Sequence, residues 1–134
     1  MLEFIFGKAK PRVLAADDDE NVRELVADVL SAKGYKVTPV KDGQEAVQQL
    51  RRHRFDLVIL DVHMPGLEGP QVLEFIRLLP KGSEIGVIML TAERATSTFA
   101  SAHELGIHAY LDKPFSPLKL LETVGGYFDR KTPK

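Results

Sequence analysis

The stretch Arg12-Val13-Leu14-Ala15-Ala16-Asp17-Asp18-Asp19 is an apolar run that ends abruptly in three carboxylates. A second run, Leu57-Val58-Ile59-Leu60, ends in a fourth, Asp61. Short continuous apolar runs are the pattern of strands buried on both faces of a parallel sheet. In open α/β sheets the ligand crevice lies beyond the carboxyl ends of the strands. Acids stepping off two such ends therefore converge. Converging carboxylates raise one another's pKa unless a positive charge sits between them. A hard divalent cation with oxygen ligands, Mg2+ above all, meets that need. One acid is then left to react.

Outward from these two runs, apolar stretches alternate with helical patterns five times, at 12–16, 36–40, 56–61, 86–91 and 108–112. That alternation predicts repeated βα units and a parallel sheet in one domain. Val22, Leu25, Val26, Val29 and Leu30 mark the inner face of the first helix, with Gly34 as its left-handed cap. The second starts at Asp42 with Glu45 as capping-box partner and carries Ala46, Val47 and Leu50 inward. Val72, Leu73, Ile76 and Leu79 form the third, stopped by Pro80. The fourth, near 93–104, is rich in Ser and Thr and is the weakest. Ser116-Pro117 caps the fifth, whose inner face is expected at Leu118, Leu121 and Phe128, with Gly125-Gly126 loosening its end. Pro39 would remove a ladder donor from the second strand, which places that strand at an edge. The order 2-1-3-4-5 satisfies this and is a common doubly wound arrangement, with helices on both faces.

Composition excludes several function classes. Eighteen Lys and Arg against nineteen Asp and Glu offer no electrostatic case for nucleic acid or an acidic membrane. The absence of cysteine removes a disulfide scaffold, a zinc-thiolate site and a Cys nucleophile. No apolar stretch reaches the roughly 20 residues of a membrane span. There is no G-x-G-x-x-G after a strand and no G-x-x-x-x-G-K-[ST]. The opening Met1-Leu2-Glu3-Phe4-Ile5-Phe6 is too short for a signal-peptide core, and its apolar side chains are expected to pack against the domain or against a partner. The closing Arg130-Lys131-Thr132-Pro133-Lys134 is expected as a frayed tail. These readings divide the chain into an extension at 1–11, a domain at 12–129 and a tail at 130–134.

With strands one, three, four and five parallel, their carboxyl ends carry Asp17-Asp18, Asp61, Thr91 and, just beyond, Lys113-Pro114. Two acids can place a cation while a third attacks an electrophile. A hydroxyl can hold a newly attached anion and a lysine can balance it, which is most of what phosphoryl transfer asks. The stretches VLAADDDENVREL, DLVILDVHMPG, VIMLTAE and AYLDKPF, with Asp42-Gly43-Gln44-Glu45-Ala46, closely resemble the receiver domain of bacterial two-component response regulators. The likeness extends to stand-alone chemotaxis-type regulators. It implies a flavodoxin-like fold, a cytoplasmic signalling domain and Mg2+ as cofactor.

The resemblance also implies roles. Asp61 is the acceptor of a phosphoryl group from the phosphohistidine of a histidine kinase or phosphotransfer protein. Asp18 binds Mg2+ directly and Asp17 chiefly through water, and the backbone carbonyl of His63 completes the shell. Thr91 is the switch hydroxyl, Lys113 the lysine partner, and Tyr110 the aromatic that changes rotamer. Lys113-Pro114 is often cis in such domains. Phosphorylation switches the surface of the fourth helix, fifth strand and fifth helix toward a downstream protein, or toward a dimer. Catalysis is limited to self-phosphorylation from phosphodonors and autodephosphorylation.

Asp19 reads as a helix cap and the His63 side chain as solvent-facing, since an oxygen-rich magnesium site does not want imidazole. His53, His103 and His108 form no cluster. His63 and Glu93 occupy positions that influence dephosphorylation in the family, and Ala15-Ala16 predicts looser packing of the first strand. Two other functions compete: a receiver fold used only for phosphorylation-independent binding, and a metal-dependent aspartyl-phosphate phosphatase. The second lacks its general acid, because His63 stands two residues after Asp61. No output module follows the fifth helix in this sequence, which therefore reads either as a stand-alone receiver or as part of a larger regulator.

Overall fold

A computed structural model describes residues 10–92 and 106–131. Its strands are β1 (Arg12–Ala16), β2 (Lys36–Val40), β3 (Leu57–Asp61), β4 (Gly86–Thr91) and β5 (Ala109–Asp112). They form one parallel sheet of order β2-β1-β3-β4-β5. The helices are α1 (Glu20–Ala32), α2 (Gly43–Arg52), α3 (Gly69–Leu78) and α4 (Pro117–Lys131), with a 3-10 turn at Gly82–Glu84. The segment expected as a helix near 93–104 lies outside the described residues, so α4 is the fifth helical segment of the sequence pattern. Pro39 sits in edge strand β2, where its missing N–H costs no ladder bond to a further strand.

Period-two geometry splits the strands between two cores. Leu14, Ala16, Val58, Leu60, Val87 and Met89 face α2 and α3, meeting Ala46, Leu50, Val72, Leu73 and Ile76. Val13, Ala15, Leu57, Ile59, Ile88, Leu90 and Leu111 face α1 and α4, meeting Val26, Leu30, Leu120 and Val124. Every residue of β3 is buried, at about 1.5–3 kcal/mol for each large aliphatic side chain. Ala15 and Ala16 are enclosed as well, one in each core, so β1 shows no exposed gap where larger side chains were expected.

The caps follow the sequence closely. Asp19 Oδ1 accepts the Asn21 N–H and opens α1, and Gly34 takes the left-handed φ of 94° after its end. Asp42 Oδ1 accepts the Glu45 N–H, while Glu45 Oε1 reaches back one residue further than expected, to the Lys41 N–H. Ser116 Oγ accepts the Lys119 N–H at the start of α4.

Three expectations need correction. The expected face of α4 holds only in part: Leu120 and Val124 are its buried residues, Leu121 and Phe128 pack half-buried on the same core, and Leu118 is 65% exposed. Leu118 falls in the first helical turn. Gly125-Gly126 does not loosen the helix, which continues through Tyr127 and Phe128. Tyr127 lies across Gly86, where an added Cβ would stand 2.3 Å from its ring. It also packs edge-on to Phe128, which stacks on Tyr35, so aromatic packing offsets the glycine entropy cost. Finally, Arg130 and Lys131 belong to the helix rather than to a frayed tail, and Arg130 lies 3.1 Å from His108 Nδ1.

Candidate functional site

The carboxyl ends of β1, β3 and β4 deliver the site. Asp17 follows β1; its N–H donates to Val40 O, and its carbonyl accepts from Arg23 Nη1 at 2.8 Å. Asp17 Oδ1 accepts the Asp19 N–H at 2.9 Å, which fixes the carboxylate and turns the chain into α1. Asp61 ends β3 at 6% exposure, and the next residue, Val62, donates its N–H to Leu90 O. Thr91 ends β4 and is buried; its carbonyl accepts the Lys113 N–H at 2.8 Å. That bond ties the loop after β5 to the end of β4. The Lys113-Pro114 peptide is cis.

These elements bring together Asp17, Asp18 and Asp61, with ligand oxygens all within 4.8 Å of one another. Asp17 and Asp61 are buried and Asp18 is exposed. Lys113 Nζ reaches in from the far side, 2.7 Å from Asp17 Oδ2 and 3.3 Å from Asp61 Oδ1. Burial and then the Asp17 charge push the Asp61 carboxyl up to about 6, against the opposing pull of Lys113. Burial pulls the Lys113 ammonium down, but Asp17 and then Asp61 outweigh it and the net shift is upward. One ammonium cannot neutralise three carboxylates. The uncompensated charge is that of one divalent cation, and the donor set is oxygen, so the residues fit Mg2+.

Asp19 lies outside the cluster and caps α1, as its place in the sequence predicts. His63 is exposed, with Nδ1 3.8 Å from Glu68 Oε1. Tyr110 is half-buried against the core beside α2 and α3, and burial raises its pKa. Glu93 lies outside the described residues. Two participants are hard to see in the sequence. Arg23 reads there as an ordinary solvated helix residue. Gly69 reads as a turn before Pro70, yet a Cβ on it would stand 2.6 Å from the Asp61 carbonyl oxygen, so α3 begins directly against the end of β3. The glycine itself is the only signal.

A doubly wound parallel sheet with paired acids, a third acid, a hydroxyl and a lysine at its carboxyl edge defines a receiver-type signalling domain rather than a conventional enzyme. The comparisons agree: residues 13–125 match the response regulator receiver domain, and the chain belongs to this family. It is 37% identical over 122 residues to the response regulator MprA of Mycobacterium leprae, covering 91% of this chain and 53% of that protein. The chain spans about half the length of the curated relatives it matches. Among solved structures it is similar to the chemotaxis response regulator CheY4 of Vibrio cholerae, with a TM-score of 0.83 and 32% identity, covering 88% of this chain and 98% of that one. A CheY-like receiver domain from Methanospirillum hungatei gives a TM-score of 0.85 at 27% identity, covering 92% and 97%. Phosphorylation of an aspartate with Mg2+ is typical of the family. Among the described residues, no helix is long and apolar enough to cross a membrane.

Proposed function

We propose that Asp61 is the phospho-acceptor and that Asp17, Asp18 and Asp61, with the backbone carbonyl of His63, hold Mg2+. The observation that carries this reading is the convergence of the three carboxylates with Lys113 at one strand edge. A bound Mg2+ would supply charge neutralisation for the transferring phosphoryl group. An Asp61 carboxylate oxygen attacks the phosphorus of a phosphohistidine on a kinase or phosphotransfer protein. The P–N bond breaks, the imidazole leaves with its electron pair, and Asp61 becomes an acyl phosphate. Small phosphodonors react in the same way, and water later hydrolyses the product.

The acyl phosphate adds charge and acceptor oxygens where Asp61 had one carboxylate. The Lys113 ammonium beside Asp61 and the Thr91 hydroxyl at the end of β4 are the donors that would meet those oxygens, and Thr91 lies two residues before the segment at 93–105. Drawing Thr91 inward biases that segment, Tyr110 on β5 and the start of α4 toward a second arrangement with a different protein preference. The partners on this reading are a kinase or phosphotransfer protein upstream and a protein target or second copy downstream, in the cytoplasm. Acetyl phosphate with Mg2+ should add one phosphoryl mass to the chain, and Asp61→Asn should abolish it. Unchanged uptake by that variant would remove Asp61 from the role.

A further inference from the structure

At the opposite, amino ends of β1, β3 and β4 lies a groove of about 840 Å³ that the phosphoacceptor chemistry does not use. Its floor is apolar, formed by Leu50, Phe55, Leu79 and Ile85. Leu79 and Ile85 are only half-buried there, packed from above on the core. Its walls carry five Lys and Arg against two acids, and the Arg12 guanidinium lies 5.4 Å from the Phe55 ring centre. Lys10, the first described residue, lines this groove. The chain before it opens with Met1-Leu2-Glu3-Phe4-Ile5-Phe6, five apolar side chains and one carboxylate.

We propose that residues 1–6 of the same chain dock in this groove, covering Leu79 and Ile85 with Phe4 and Phe6. Connectivity carries the assignment. The segment leaves from the groove's own wall, and six extended residues span roughly 20 Å, enough to cross it. Tethering gives an effective concentration in the millimolar range that an untethered occupant must exceed. The apolar side chains match the floor.

The test uses the full chain, which has no cysteine, so that Glu3→Cys gives a single attachment point for a nitroxide label. Docking predicts that amide signals of Leu50, Phe55 and Ile85 lose most of their intensity while those of Asp61 and Thr91 keep theirs. Uniform or absent broadening overturns the proposal. Mixing labelled, isotope-silent chain with unlabelled, isotope-enriched chain distinguishes a second copy: broadening of the groove amides there assigns the groove to another molecule and also overturns it. Independently, removing residues 1–8 should shift amide signals of the groove residues and leave the carboxylate cluster unchanged. No shift at the groove, or shifts confined elsewhere, would refute docking.

Discussion

The Lys113 ammonium lies nearer to Asp17, at 2.7 Å from Oδ2, than to the proposed acceptor Asp61, at 3.3 Å from Oδ1. In this arrangement the lysine neutralises the supporting acid first. It also stands in for part of the positive charge that a metal would bring, so lysine and cation compete for the same carboxylates.

Lys113→Met should therefore act in opposite directions on two measurements. Without metal, two buried carboxylates face each other with no ammonium between them, and urea unfolding should show a loss of about 2 kcal/mol. Mg2+ titration should show equal or tighter binding, because the competing cation is gone. Weaker binding would mean that Lys113 supports the metal site rather than opposing it.

The raised pKa of Asp61, about 6, sets a pH dependence. The fold holds the Asp61 proton more tightly than the unfolded chain, whose value is near 3.8. The contribution of this group to metal-free stability is therefore fully present below pH 3.8 and is lost as pH rises through about 6. Asp61→Asn should remove that loss and stabilise the metal-free domain at pH 7 by about 1–2 kcal/mol. Mg2+ affinity of the native chain should fall as pH drops below about 6, since protonation removes a ligand charge. An affinity flat from pH 7.5 to 5 would contradict the shift.

Asp18 and Asp19 are adjacent acids for which we propose separate roles. Asp19→Ala removes the cap on α1 and should cost about 1 kcal/mol of stability with Mg2+ affinity unchanged. Asp18→Ala should leave stability close to native and weaken Mg2+ binding at least tenfold, as read by calorimetric titration. Exchange of the two outcomes would reverse the assignment.

Gly69→Ala tests the approach of α3 to the end of β3. Its Cβ would meet backbone, the Asp61 carbonyl at 2.6 Å, so the helix start or the strand end must move. We expect a loss of about 1–3 kcal/mol in thermal or urea unfolding, with slower phosphorylation by acetyl phosphate. Native rates at reduced stability would show that only the helix shifts.

Much of this protein was legible in the order of its residues. The run Leu57–Leu60 ending in Asp61 predicts a fully buried strand, and its register against β1 and β4 puts the acids at one edge. Pro39 predicts the edge position of β2, and Asp19, Asp42 and Ser116 predict helix starts, because these are local rules of hydrogen bonding and dihedral preference. The face of α4 was legible only in part. Leu121 and Phe128 pack on the core as expected, but Leu118 satisfies the same helical periodicity and stays exposed, while Leu120 and Val124 take the centre of the contact. Gly125-Gly126 misled because the propensity cost is local, whereas the contacts that outweigh it come from Tyr35, Gly86 and His108, all distant in sequence.

Sequence alone determined the edge position of β2, the caps and the set of chemical groups at the carboxyl edge, since each follows from spacing, polarity and short-range geometry. Tertiary structure decided how those groups share charge: that Lys113 leans toward Asp17, that burial raises Asp61, that Gly69 abuts its carbonyl. Distances between elements far apart in sequence depend on how the two cores pack, and electrostatic coupling changes steeply over those few ångströms.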